Sequence, residues 1–374
     1  MDDRLRQLIS LLRSHLLRVD VKPLFPVLSD IEWSELYELA LSHGVQGFAY
    51  EGAFFSNIPI PPTLREIWRQ RMICDVRKYY SIQRECFRVI CNLKNNDIKP
   101  VILKGLSVSQ AYPYPELRVM GDIDILVHNR FFEAALCLEE MGYRAKKEVA
   151  VHHIEFKKKN FLVELHRIPF TPTGVKNYDN LIKAVSFTGE EHKYIKVTDA
   201  EIPVLTDEDF INESIEHILK HLTHDRMALR NVCDILMLFV TYQRNSWIDY
   251  YDLIEKNGMG EQFSGIVSLL VYEFGLSEEL VSGIKLLEPK DEQKFAENVF
   301  SILSAHKGAN KYYSSLSVRG AFRMLFNYLN AVRRDILIKY PYCRENILLR
   351  PIAFIHAYFD YLVELMRKMI GRFA

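Results

Sequence analysis

The chain has 374 residues, 49% of them hydrophobic and 12% aromatic, enough apolar surface for real cores and too much for a disordered or low-complexity protein. Lys+Arg and Asp+Glu both total 48, so the formal net charge is zero and the chain as a whole is not a strongly basic nucleic-acid binder. The charge is uneven: residues 311–374 carry 11 Lys/Arg against 4 Asp/Glu, a net of +7, which leaves a phosphate-rich partner or membrane surface open there beside the plainer reading of a solvated basic face.

The first hundred residues read as helices. Leu5, Leu8, Ile9, Leu11, Leu12 and Leu16 recur at helical spacing. Ser29 or Asp30 caps a predicted helix over Ile31–Ser42, and Gly44 stands just past its end. Pro61 and Pro62 open a long amphipathic helix that runs to about Asn95. At Ile98 the texture changes. Ile98–Gly105 and Asp122–Val127 read as strands, separated by a short helix from Leu106 to Tyr112 and a proline-bearing loop, Pro113–Met120. Arg130–Met141 is an amphipathic helix closed by Gly142. Tyr143–Val149, Val151–Lys157 and Phe161–Ile168 alternate apolar and polar residues as half-buried strands do, with a hairpin turn at Lys158, Lys159 and Asn160. Tyr194–Val197 and Ile202–Val204 are expected as edge strands. From Thr206, which caps the next helix, the pattern is helical again, including a helix over Leu229–Tyr242. The organisation expected is α+β: an N-terminal helical region (1–96), a small mixed-sheet core (97–205) and a C-terminal helical domain (206–374).

Six cysteines without a C-x-x-C pair, a charged N-terminus without an apolar core, and no apolar span of about 20 residues point to a soluble, cytoplasmic protein.

Chemistry gathers at Asp122 and Asp124. On a strand they project from one face, while Ile123, Ile125 and Val127 turn to the other. Two acids side by side repel and are costly to bury, and a divalent cation removes both problems. Glu164 stands in phase on the polar face of FLVELHR (Phe161–Arg167), together with Leu162 and His166. If that strand lies beside Asp122–Val127, the three carboxylates can hold two metals about 4 Å apart, the arrangement used in phosphoryl and nucleotidyl transfer. Lys104-Gly105 ends the preceding strand, where Gly105 permits close backbone approach and Ser107 adds a hydroxyl. Lys104 and Arg118 bring positive charge. The plainer alternatives are exposed strand-edge acids, a cross-strand partner role for Glu164, salt-bridged cations and a simple turn glycine.

The run LKGLSVSQAYPYPELRVMGDIDILV (Leu103–Val127), followed by VELHR (Val163–Arg167), resembles the polymerase β-type nucleotidyltransferase superfamily, and most of all a bacterial branch catalogued as uncharacterised. Over His217–Leu238 the resemblance is weaker. It implies a nucleotidyltransferase core in which Asp122, Asp124 and Glu164 bind Mg²⁺ or Mn²⁺, two ions in all, and carry catalysis. It implies Lys104, Gly105 and Arg118 at the phosphates of an NTP such as ATP, with Ser107 and His166 added to the nucleotide side from their positions. The reaction expected is transfer of an NMP group to an unknown hydroxyl-bearing acceptor with release of pyrophosphate. Gly105 is followed by Leu106 where the superfamily has Gly-Ser or Gly-Gly, which motivates the alternative of a catalytically degenerate nucleotide-binding or scaffolding module.

Other residues draw weaker readings. His217 and His221, one helical turn apart, can face a nucleotide or acceptor, bind Zn²⁺, or be ordinary buried histidines, and His224 follows in the same stretch. His152 or His153, or His166, can serve as a base for the acceptor hydroxyl. Arg230 and Asp234 are spaced to pair at i,i+4.

Overall fold

The computed structural model describes residues 3–128, 130–146, 153–170, 175–185, 192–197, 200–223, 227–242 and 248–288, with isolated positions thereafter. Met1–Lys307 form one compact unit and Gly308–Ala374 a second. The second, with the basic segment and Cys343, lies almost wholly outside the described residues. The boundaries expected at 96/97 and 205/206 both fall inside the first unit, where they mark changes of secondary structure.

The N-terminal layer is α1 (Asp3–Leu17), α2 (Asp30–His43), α3 (Gln46–Phe55) and α4 (Pro62–Asn95). α2 starts where the sequence says it should: Glu32 N–H donates to Ser29 Oγ at 3.3 Å and Ser29 N–H to Glu32 Oε2 at 2.8 Å, a reciprocal capping box. α3 crosses α1 so closely that a Cβ on Gly52 would meet the Leu11 carbonyl oxygen at 1.9 Å, so only glycine fits there.

A seven-stranded mixed sheet follows, in the order β3-β4-β5-β2-β1-β7-β6. Its strands are β1 (Val101–Ile102), β2 (Ile123–Leu126), β3 (Arg144–Ala145), β4 (His153–Lys158), β5 (Phe161–His166), β6 (His192–Val197) and β7 (Ala200–Leu205). α5 (Leu106–Ser109), α6 (Phe131–Glu140) and α7 (Lys176–Ala184) lie between strands, and α8 (Asp207–Thr223), α9 (Leu229–Thr241), α10 (Ile248–Lys256) and α11 (Gly260–Tyr272) complete the described helices. Several expectations are corrected in length. The strand expected over Ile98–Gly105 shrinks to two residues, because Pro100 has no N–H to give a ladder. The helix expected to reach Tyr112 stops at Ser109. Tyr143–Val149 leaves only Arg144–Ala145 as strand, with 147–150 outside the described residues. Ile202–Val204 is no edge: β7 lies inside the sheet, parallel to β1 with Ile102 opposite Val204.

The two faces of the sheet differ. Ile102, Ile125, Phe156, Val163, Leu165, Ile202 and Val204 pack with Cys86, Val89, Ile90 and Leu93 of α4 and with Ala134 and Leu138 of α6 in one apolar cluster. On the other face Val101, Leu126 and Leu205 join the N-terminal helices, α8 and α9 in a second. At about 1.5–3 kcal/mol per fully buried aliphatic or aromatic side chain, these clusters supply the main driving force for the fold. No described helix is long and apolar enough to cross a membrane.

Candidate active site

β2 and β5 run parallel with Asp124 opposite Glu164 and Leu126 opposite His166. Parallel partners share a face, so Asp124, Glu164 and His166 point together away from Ile125 and Leu165. Asp124 and His166 are buried, 6% and 4% exposed, and His166 Nε2 lies 3.0 Å from Asp124 Oδ1 and 3.5 Å from Glu164 Oε2. Donor atoms of these three residues fall within 4.8 Å of one another, close enough to share one ion. His153, Glu155 and Glu164 form a second such group. Asp122 precedes β2 and lines the same cleft.

The cleft has a volume of about 490 Å³, within the roughly 300–1,000 Å³ of small-molecule sites. Asp122, Asp124 and Glu164 line it together with the cations Lys104, Lys220 and Arg230 and with His217 and His221. Gly105 joins them from the turn after β1. Its φ of 57° and ψ of −97° suit glycine, and the backbone conformation rather than crowding requires it, since a Cβ would make only an ordinary contact with Met120 Sδ at 3.4 Å. Burial opposes the charge of Lys104, but Asp124, Glu213 and Glu216 around it hold its ammonium above the ordinary value, and Glu213 Oε1 lies 3.5 Å from its Nζ.

The charges of the site are interdependent. Burial, then Asp124 and Glu164, push the Asp122 carboxyl up to about 6. Burial would raise Asp124 too, but Lys104 and the His166 hydrogen bond hold it well below the usual carboxylate range. Burial works against a charged His166, and its bonds to Asp124 and Glu164 outweigh that and raise it. Burial, then Lys104, His221 and Lys220, hold the His217 imidazole well below its ordinary value. The carboxylates press on one another, and a cation among them would relieve the repulsion, so the donor set fits the divalent metal expected of it.

Of the residues expected at the nucleotide, Ser107 lies off the cleft lining, and Arg118 is on it but already bonded. Ser107 is buried in the single turn α5, its N–H donating to the Lys104 carbonyl at 3.2 Å, and is not on the cleft wall. Arg118 lines the cleft, but its Nε and Nη2 each donate to Asp234 at 2.7 Å, and Tyr112 donates its hydroxyl to the same carboxylate at 2.6 Å. The expected Arg230–Asp234 pair therefore does not form. Arg230 Nη1 donates instead to the Val119 carbonyl at 2.9 Å.

His217 and His221 approach Nε2 to Nε2 at 3.1 Å, and no third metal donor joins them among the described residues. His152 and His224 lie outside the described residues.

Glu213, Glu216 and Lys220 escaped the sequence reading. Their only signal is polar residues at i, i+3 and i+7 along a helix whose neighbours Ile211, Ile215, Ile218 and Leu219 are all core. Burial lifts Glu213 to about 7 and Glu216 to about 8, against the opposing pull of Lys104 and Lys220.

No curated protein matches the chain. The crystal structure of an antigenic nucleotidyltransferase-like protein from Paracoccidioides brasiliensis aligns at 13% identity and a TM-score of 0.37, covering 55% of this chain and 94% of that one. A family model described as an uncharacterised nucleotidyltransferase matches residues 29–270, a span holding the whole sheet, Asp122, Asp124 and Glu164, and α8 and α9. That is well over half of the chain, and the protein belongs to this uncharacterised nucleotidyltransferase family.

Proposed function

We propose that the cleft transfers the NMP group of an NTP to a hydroxyl-bearing acceptor, with release of pyrophosphate. The observation that carries this reading is the parallel register of β2 and β5, which sets Asp124 beside Glu164 on a cleft that Lys104, Lys220 and Arg230 also line. Asp122, Asp124 and Glu164 would hold divalent ions, Mg²⁺ or Mn²⁺, whose chemistry is to neutralise the phosphates and acidify the attacking hydroxyl.

The chain's own residues do the rest. Lys104, Lys220 and Arg230 offer a triphosphate three positive charges in the same cleft as the acids. The Gly105 turn lets a phosphate approach the backbone without a side chain in the way. Arg118, clamped by Asp234, fixes the 113–120 loop that carries Val119 and Met120 into the wall. The buried setting strengthens each of these interactions by excluding water.

The test is label transfer from α-³²P-NTP to extract or purified acceptors with Mg²⁺ or Mn²⁺. Asp124→Asn and Glu164→Gln, each folded by circular dichroism, are expected to lose at least about a hundred-fold in rate. Undiminished transfer by both would overturn the reading. A second reading, a nucleotide-binding module without transfer, is favoured by Ser107 lying off the wall and Arg118 being spent on Asp234. Calorimetric binding of NTP that needs no divalent ion, with no labelled product, would select it.

A further inference from the structure

We infer that His166 Nε2 is itself a metal ligand, completing with Asp124 and Glu164 a mixed nitrogen–oxygen site that selects a first-row transition ion over Mg²⁺. The inference rests on the proposed function, whose carboxylate set it extends to an imidazole.

The argument is geometric. Residues i and i+2 on a strand share a face, so Glu164 fixes where His166 points, and the parallel register then brings Asp124 to both. Two donors each about 2.1 Å from a common ion lie about 3.0 Å apart at a right angle and about 3.4 Å apart at the tetrahedral angle. The observed separations from Nε2 are 3.0 Å to Asp124 Oδ1 and 3.5 Å to Glu164 Oε2. Both separations from Nε2 thus match donors around one centre, and all three ligand atoms lie within 4.8 Å of one another. In the metal-free chain the Nε2–H donates to Asp124. On binding, that proton leaves to solvent and the nitrogen lone pair goes to the ion.

Burial adds to the case. His166 and Asp124 are almost inaccessible, so the ligand atoms are held by the sheet. Asp122, by contrast, is not part of the three-donor group, which leaves it to a neighbouring position. Donor chemistry then decides the metal. An all-carboxylate set suits Mg²⁺, whereas an imidazole nitrogen favours Mn²⁺, Co²⁺ or Zn²⁺.

The experiment is pulsed electron paramagnetic resonance on the full chain with Mn²⁺ alone. Wild type is expected to show ¹⁴N modulation from a directly bound imidazole, replaced by the ¹⁵N pattern when the protein is grown with ¹⁵N-histidine. His166→Gln should abolish the modulation, and His153→Gln, whose ring centre lies 5.2 Å from that of His166, should leave it unchanged. Competition calorimetry should show Mn²⁺ bound at least ten-fold more tightly than Mg²⁺ in wild type, and a smaller ratio in His166→Gln. The isotope exchange shows that the nitrogen is a histidine's, and with the modulation retained in His153→Gln it assigns His166 beside Asp124 and Glu164 even if His166→Gln fails to fold. Mn²⁺ bound without nitrogen modulation, or modulation lost only in His153→Gln, would overturn the inference while leaving the proposed transfer intact. Failure of wild type to bind Mn²⁺ at all would overturn both.

Discussion

β2 and β5 present the same backbone to two different environments. On one side Ile125, Val163 and Leu165 are wholly buried in an apolar cluster with residues of α4 and α6. On the other, Asp124, Glu164 and His166 are drawn into a charged cleft. The first face is held by packing, which is non-directional and tolerant of volume-conserving change. The second is held by charge balance, in which each group sets the ionisation of the next and removal of one partner strands another. A single alternating pattern therefore encodes both the stability of the sheet and the placement of its chemistry.

That contrast can be broken from either side. The largest expected effect is at Arg118. Arg118→Ala leaves Asp234 as an uncompensated, largely buried carboxylate and should cost about 3–5 kcal/mol in chemical denaturation. Because the two residues share one interaction, Arg118→Ala with Asp234→Ala should cost less than the sum of the single changes. On the apolar face, Ile125→Ala should cost about 2–5 kcal/mol through a cavity, while the fraction that remains folded keeps its transfer rate.

A smaller effect separates the faces by pH. The Glu216 carboxyl titrates at about 8 in the folded chain, against 4.5 ordinarily. The folded state therefore holds the proton longer than the unfolded state. The stability this group contributes is complete below about 4.5 and is lost as pH rises through about 8. Glu216→Gln removes that dependence, so its melting temperature should gain steadily on wild type as pH rises from 5 to 8.5. A difference that stays flat across that range would contradict it. The smallest effect lies far from the cleft, at the α2 capping box: Ser29→Ala should cost about 1 kcal/mol with no change in activity.

The two faces were also legible to different degrees in the sequence. Alternation over DIDIL and FLVEL is a period-two signal, so the shared face of Asp124, Glu164 and His166 follows from strand geometry once both segments are strands. The α2 cap and the start of α4 are local rules and held to within a residue. Pairings between distant segments carry no such local mark. β7 sits beside β1 across about a hundred residues, and Asp234 chooses Arg118, 116 residues away, over its helical neighbour Arg230. The helical spacing of Arg230 and Asp234 suggested a bond worth a few tenths of a kcal/mol, which a bidentate buried pair outcompetes. α3 was missed because Gly47 and Gly52 lower its intrinsic propensity. The close approach to α1 that demands Gly52 is tertiary, and no window of local sequence displays it.

The central claim is that Asp124 and Glu164 converge to hold a divalent cation in the cleft that Lys104, Lys220 and Arg230 also line. Anomalous diffraction from crystals soaked in Mn²⁺ and a non-hydrolysable NTP tests it most directly. The account predicts a manganese peak within about 2.0–2.4 Å of carboxylate oxygens from both residues, with the triphosphate turned toward Lys104, Lys220 and Arg230. A nucleotide bound elsewhere, or a cleft that takes up neither ion nor triphosphate at saturating concentrations, would contradict it.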